Sequence, residues 1–127
     1  MAWVSLAQPE PDREYVALVS YLLLREPREL PVFLRHVEAI RKQLSASRGL
    51  IGYSLRADFP ERQFWTLSIW EDGATLEEFV HGAPHVGIMK TLRPHMAKTK
   101  FVRWKTLWSS LAPTWEDALA RLEDRQM

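Results

Sequence analysis

The stretch that decides the fold covers residues 63–89 and begins Gln63-Phe-Trp-Thr-Leu-Ser-Ile-Trp-Glu-Asp-Gly73. Its first eight residues are rich in aromatic and β-branched side chains, which favour a strand, and Asp72-Gly73 ends that strand with a tight turn. Gly82 and Pro84 then separate a first helix from a second short one. The first helix is indicated by apolar residues at helical spacing, with Thr75 as its expected cap: Leu76, Phe79 and Val80.

The segments on either side of this stretch predict three more strands and two more helices. Glu14–Leu24 and Leu50–Ala57 read as strands rich in Val, Leu and Tyr, and Lys98–Trp108 as the fourth strand. A helix from about Leu30 to Ser47 carries one apolar stripe, which leaves Arg35, Glu38, Arg41 and Lys42 on its solvent side. Pro113 is expected to begin a C-terminal helix that includes Trp115, Leu119 and Leu122.

The order of these elements predicts an α+β fold of the ferredoxin-like type, βαββαβ, with a four-stranded antiparallel sheet and an extra C-terminal helix. Residues 1–13 are expected to form an irregular lead-in, since prolines interrupt them, and residues 14–127 a single domain. Both faces of the third strand look buried: Phe64, Thr66, Ser68 and Trp70 on one, Trp65, Leu67 and Ile69 on the other. We therefore expect a second copy to cover the outer face, as a homodimer whose sheets close into a barrel.

The overall composition excludes several classes of function. Lys and Arg total 17 against 16 Asp and Glu, so the net charge of +1 gives no electrostatic footprint for nucleic acid. The chain has no cysteine, which excludes disulfides, thiolate catalysis and cysteine-zinc sites. No segment approaches the roughly 20 apolar residues of a membrane span, and the first residues do not read as a secretory signal. We expect a cytoplasmic protein that binds neither nucleic acid nor membrane.

With these elements in place, the chain resembles the dimeric α+β barrel superfamily, which includes antibiotic-biosynthesis and heme-degrading monooxygenases. The resemblance covers about residues 14–123 and is closest to an uncharacterised bacterial branch. It is carried by Leu67-Ser-Ile-Trp-Glu-Asp72, by the apolar helix that follows, and by a tryptophan-rich last strand. The resemblance implies a monooxygenase-like activity on a small apolar or aromatic ligand held between sheet and helices. The alternative is a dimer that binds a ligand or heme without catalysis.

The resemblance also suggests where a site would lie. Better-known branches use a first-strand asparagine, a third-strand tryptophan and a second-helix histidine; Trp70 matches the tryptophan and His81 lies near the histidine. This chain has no asparagine, so Ser20 or Tyr21 would take that place. The candidate catalytic residues are His85, Trp70 and His81. The candidate substrate-binding residues are Tyr21, Ser20, Trp65, Phe79 and Arg56.

The two histidines allow more than one interpretation. They are four residues apart, but Gly82 and Pro84 between them argue against a continuous helical metal pair, so no metal site is predicted. His85 can serve as an acid/base group, a polar anchor or a heme ligand, so the cofactor is either none or heme. The competing interpretation is a partly exposed histidine bonded to a neighbouring carbonyl. For each tryptophan, the competing interpretation is a ring in the core or in a dimer contact.

Overall fold

The sheet forms where apolar, aromatic and β-branched residues are concentrated in the sequence. The computed structural model describes residues 3–10, 12–107 and 114–124, and in these ranges the sheet has five strands. The strands are β1 Val4–Ser5, β2 Glu14–Leu24, β3 Leu50–Asp58, β4 Gln63–Trp70 and β5 Met96–Leu107. They lie in the order β1-β3-β4-β2-β5, and each neighbouring pair is antiparallel. The predicted ferredoxin-like α+β fold is confirmed, with one strand more than the four expected.

The additional strand lies in the lead-in that the prolines suggested would be irregular. Val4 pairs with Tyr53 and Ser5 with Gly52 at the free edge of β3. The indole of Trp3 packs directly on the backbone of Gly52. A Cβ added at Gly52 would lie 2.5 Å from Trp3 Cζ2. A glycine in a strand permits this close approach. β1 is therefore held by one aromatic ring and a two-residue ladder.

Four helices lie in the described residues: α1 Leu30–Ala46, α2 Gly73–His81, α3 His85–Leu92 and α4 Trp115–Asp124. The expectations for Trp108 and Pro113 lie outside the described residues. Asp72, and not Thr75, caps α2: the Asp72 carboxylate accepts a hydrogen bond from the backbone N–H of Thr75 at 2.9 Å. The Thr75 hydroxyl completes the reciprocal pair of a capping box. The Thr75 backbone bond is the main reason that the pKa of Asp72 is lowered.

The two faces of the sheet are covered by different helices. On one face, Phe64 contacts Phe33 of α1 with ring centroids 4.4 Å apart, and α2 and α3 complete this layer. On the other face, Leu67 is buried with Ala118 and Leu122 of α4. The chain's own C-terminal helix and Trp3 pack on this outer face, where Tyr21, Trp65 and Trp104 stay only partly buried.

A homodimer stays a prediction, and Phe101 and Leu107 of β5 remain 52% and 54% exposed in the single chain. Sedimentation at micromolar concentration would contradict it by giving a monomer.

As for membrane spans, none of the helices in the described ranges is both long enough and apolar enough to cross a bilayer.

Candidate functional site

A cavity of about 990 Å³ lies between the strands and helices α1, α2 and α3, on the face of the sheet that these three helices cover. Its apolar lining comes from two separate core clusters, one around Phe33 and Phe64 and the other around Leu44, Tyr53 and Phe79. Small-molecule sites occupy about 300–1,000 Å³ and are mostly apolar with a few polar groups. The cavity therefore has the size and the lining of a small-molecule site.

His85, at the start of α3, supplies a titratable group to the wall of the cavity. Its Nδ1 lies 3.0 Å from the carbonyl oxygen of Val80, and its backbone N–H donates to Gln43 Oε1 at 2.8 Å. A carbonyl oxygen only accepts hydrogen bonds, so Nδ1 carries the proton. Nε2 has no partner among the described residues. In neutral His85 it is therefore an unprotonated acceptor.

Burial sets the protonation state of His85. It is the main cause that lowers the pKa of His85 below the ordinary 6.5; the hydrogen bond to Val80 opposes this effect, and the charge of His81 adds slightly to it. The ring also packs against Phe79, with centroids 4.8 Å apart. His85 is therefore neutral at pH 7 and is fixed in orientation by one carbonyl and one aromatic ring.

Hydroxyl groups form the polar part of the cavity floor. Ser20 on β2 and Thr66 on β4 are cross-strand neighbours in register, and their hydroxyls are hydrogen-bonded to each other. Ser68 also lines the cavity, and its hydroxyl accepts a hydrogen bond from Trp70 Nε1 at 2.9 Å. Such groups can donate to an oxygen of a bound molecule, since a hydroxyl is both donor and acceptor.

Two of the sequence-predicted site residues lie away from the cavity. Trp70 is fully buried in the core between Leu76 and Phe79, with its ring 5.2 Å from that of Phe79, and it is not part of the lining. Tyr21 points to the opposite face of the sheet, where its hydroxyl donates to Gln63 Oε1 at 2.9 Å. Trp70 packs against Phe79 of the cavity wall, and Tyr21 lies on the face of the sheet that α4 covers.

Three other predicted residues border the cavity without being central to it. Arg56 and Trp65 are paired in register on the face that α4 covers, and the Arg56 guanidinium lies 5.9 Å from the Trp65 ring. His81 borders the cavity from α2, with a side chain that is 72% exposed and bonded to Glu77 at 3.0 Å. Glu77 also pairs with Arg103, and that hydrogen bond is the main cause that lowers the pKa of Glu77. Of the predicted residues, six therefore line or border the cavity, and of these Ser20, Phe79 and His85 lie on the side of the sheet that α1, α2 and α3 cover.

Arg41 is a lining residue that the sequence analysis did not single out; like Glu38 it was placed on the solvent side of α1, and its side chain is 43% exposed while it borders the cavity. It reaches into the cavity from α1, where Nη1 donates to Glu38 Oε2 at 3.1 Å. A hydrogen bond to the Tyr53 hydroxyl is the main cause that raises the pKa of Arg41. Arg41 lies four residues after Val37 and three before Leu44, and both of these line the cavity. This helical spacing could have placed Arg41 at the cavity from the sequence.

No group of three His, Cys, Asp or Glu residues able to hold a metal ion occurs in the ranges that the structure describes. The polar groups around the cavity include the neutral His85, hydroxyls, four arginines, Lys90 and Glu38. They can move a proton, donate hydrogen bonds and attract an anion.

Solved structures of other proteins share the fold. A conserved protein from Methanosarcina mazei has a TM-score of 0.65 at 15% identity, covering 73% of this chain and 93% of that one. A candidate antibiotic biosynthesis monooxygenase from Nitrosomonas europaea has a TM-score of 0.65 at 14% identity, covering 80% and 97%. A dimeric ferredoxin-like protein of unknown function from Thermobifida fusca has a TM-score of 0.62 at 12% identity, covering 79% and 98%. At these identities the likeness shows the fold alone, and it confirms the predicted resemblance to monooxygenase-like ferredoxin-fold proteins.

No curated protein matches this chain. A family model matches residues 17–126, a range that contains every residue lining the cavity. The chain belongs to the family described as a domain of unknown function, DUF3291.

Proposed function

We propose that the protein is a monooxygenase-like enzyme that binds a small apolar or aromatic molecule in the cavity and oxidises it there. The observation that carries the proposal is His85, a neutral imidazole with a free Nε2 in the wall of an apolar cavity of about 990 Å³. A general base must be unprotonated at the working pH and within reach of the proton that it removes. The shared fold with monooxygenase-like proteins supports the same class of reaction.

The proposed chemistry takes its electrons from the substrate. Nε2 of His85 removes a proton from an activated C–H group, and the carbanion transfers electrons to O₂ and combines with it to give a peroxide anion, to which the His85 imidazolium returns the proton to form a hydroperoxide. Loss of water leaves a ketone, so that R₂CH₂ and O₂ give R₂C=O and H₂O. The hydroxyls of Ser20 and Thr66 can donate hydrogen bonds to an oxyanion in the cavity.

Replacing His85 with glutamine tests the base. In an aerobic screen of hydroxylated polycyclic aromatics, we expect the native protein to consume O₂ and His85→Gln to lose about 10²–10⁴-fold in kcat/KM, the range for general base catalysis. The native rate should be flat above pH 6.5 and fall on acidification, because the base must be unprotonated and its pKa is lowered from 6.5.

His81→Gln is the matched control, since His81 is exposed and bonded to Glu77. It should retain nearly all of the native rate. Equal losses in the two variants, or an acid limb that persists in His85→Gln, would remove His85 from the reaction. A flat O₂ trace across the whole panel would favour binding without catalysis.

Heme binding is the second candidate, and a specific contact favours it. A histidine that ligates a metal commonly donates its other ring N–H to a backbone carbonyl, as Nδ1 of His85 does to Val80. His85 would hold the iron and the cationic lining would face the propionates. When bound, heme supplies one-electron and O₂ chemistry. Adding hemin to the protein should then shift the Soret band, and the shift should disappear in His85→Gln but not in His81→Gln. No shift in the native protein would exclude this candidate.

A further inference from the structure

The guanidinium of Arg41 has an unmet hydrogen bond in the cavity. Nη1 donates to Glu38 and a second bond joins the group to Tyr53, but Nε is buried and finds no acceptor among the described residues. Buried donors without an acceptor are rare, because the group has lost its water and gained no partner. Arg41 therefore lacks one acceptor, on a residue that lines a site large enough for a ligand.

The charged residues around the cavity indicate that the missing acceptor is an anion. The charged lining residues are five cations and one acid: Arg41, Arg56, Lys90, Arg93 and Arg103 against Glu38. One of the cations, Arg103, is paired with Glu77, which lies outside the lining. The whole chain has 17 basic and 16 acidic residues, so this excess is local to the cavity. Lys90 and Arg93 form no ion pair with any described residue. A concave surface lined by one sign of charge attracts ligands of the other sign.

We propose that the ligand of the cavity is an aromatic or apolar molecule with one acidic oxygen group, a carboxylate, which Arg41 binds. This inference rests on the proposed function and names the chemical class of its ligand. The apolar lining takes the body of the molecule, and the Nε–H of Arg41 donates to the carboxylate. Tyr53 holds the guanidinium in place, and Glu38 beside it offsets part of its charge, which suits a monoanion.

The test compares two probes of nearly equal shape, anthracene-9-carboxylate and anthracene-9-methanol, by quenching of tryptophan fluorescence. The native protein should bind the carboxylate about 10- to 100-fold more tightly than the alcohol, as expected for hydrogen bonds to a charged group. In Arg41→Met this preference should fall to less than about threefold, while the affinity for the alcohol is unchanged. Arg41→Lys should keep only part of the preference, since a lysine cannot present a planar fork.

Arg35→Met is the matched control, because Arg35 lies on the same helix but is exposed and not part of the lining. It should bind both probes as the native protein does. Equal binding of acid and alcohol to the native protein, or equal losses in Arg35→Met and Arg41→Met, would overturn the carboxylate inference and leave the cavity as a binding site. If neither probe binds, the proposed function fails as well. A urea unfolding curve for each variant shows that a lost preference is not lost folding.

Discussion

Replacing Trp70 with alanine is expected to lower the free energy of unfolding by about 3–5 kcal/mol, the usual cost of removing a buried aromatic ring. The ring is fully buried, contacts Phe79 and donates a hydrogen bond to Ser68. Its removal leaves a void behind the cavity wall and an unpaired Ser68 hydroxyl. Urea unfolding followed by tryptophan fluorescence measures the loss, since five other tryptophans remain.

Two further variants separate this structural role from the catalytic one that the resemblance implies. Trp65→Ala should cost much less, because Trp65 is only partly buried and packs mainly against Tyr21. Trp70→Phe should restore most of the stability by refilling the site. If Trp70→Phe were as stable as the native protein but had lost O₂ consumption, the indole would take part in the reaction and its placement in the core would not explain it.

The fold was predictable because its signals are local. β2 has the predicted bounds, Glu14–Leu24, since an apolar run between prolines leaves few alternatives. β1 was not predictable, because a two-residue strand has no period and is held by Trp3 on Gly52, 49 positions away. The cap of α2 was also ambiguous. Asp72 and Thr75 are both good cap residues, and in a capping box each bonds the other's backbone.

The candidate site was predictable only in part, and strand alternation could have divided only some of the candidates. Neighbouring residues on a strand point to opposite faces, so Ser20 and Tyr21 could not line the same cavity. The same rule separates Trp65 from Trp70, which are five positions apart on β4. The rule does not tell a cavity wall from a core, which is why Trp70 lies on the correct face and still does not contact the cavity. That distinction depends on how far the helices lie from the sheet, which no single segment encodes.

The connection between α1 and β3 depends on Gly49, and Gly49→Ala should lower the free energy of unfolding by about 2–5 kcal/mol. Gly49 has φ +83°, a left-handed conformation that side chains with a Cβ rarely adopt. A Cβ there would also lie 2.5 Å from Cγ2 of Thr75, in the first turn of α2. The substitution should therefore push α2 away from the sheet, and with it Phe79 in the cavity wall.

The controls for this prediction separate backbone strain from crowding. Gly87→Ala, on α3, adds a Cβ with nothing within 4 Å and should be neutral or stabilising by about 0.5–1 kcal/mol, as alanine favours a helix over glycine. Gly49→Asn tolerates the left-handed conformation but still meets Thr75, so it should remain destabilised. If Gly49→Asn were as stable as the native protein, the left-handed dihedral angle alone, and not crowding against Thr75, would explain the loss of stability in Gly49→Ala. In that case α2 would not rest on Gly49.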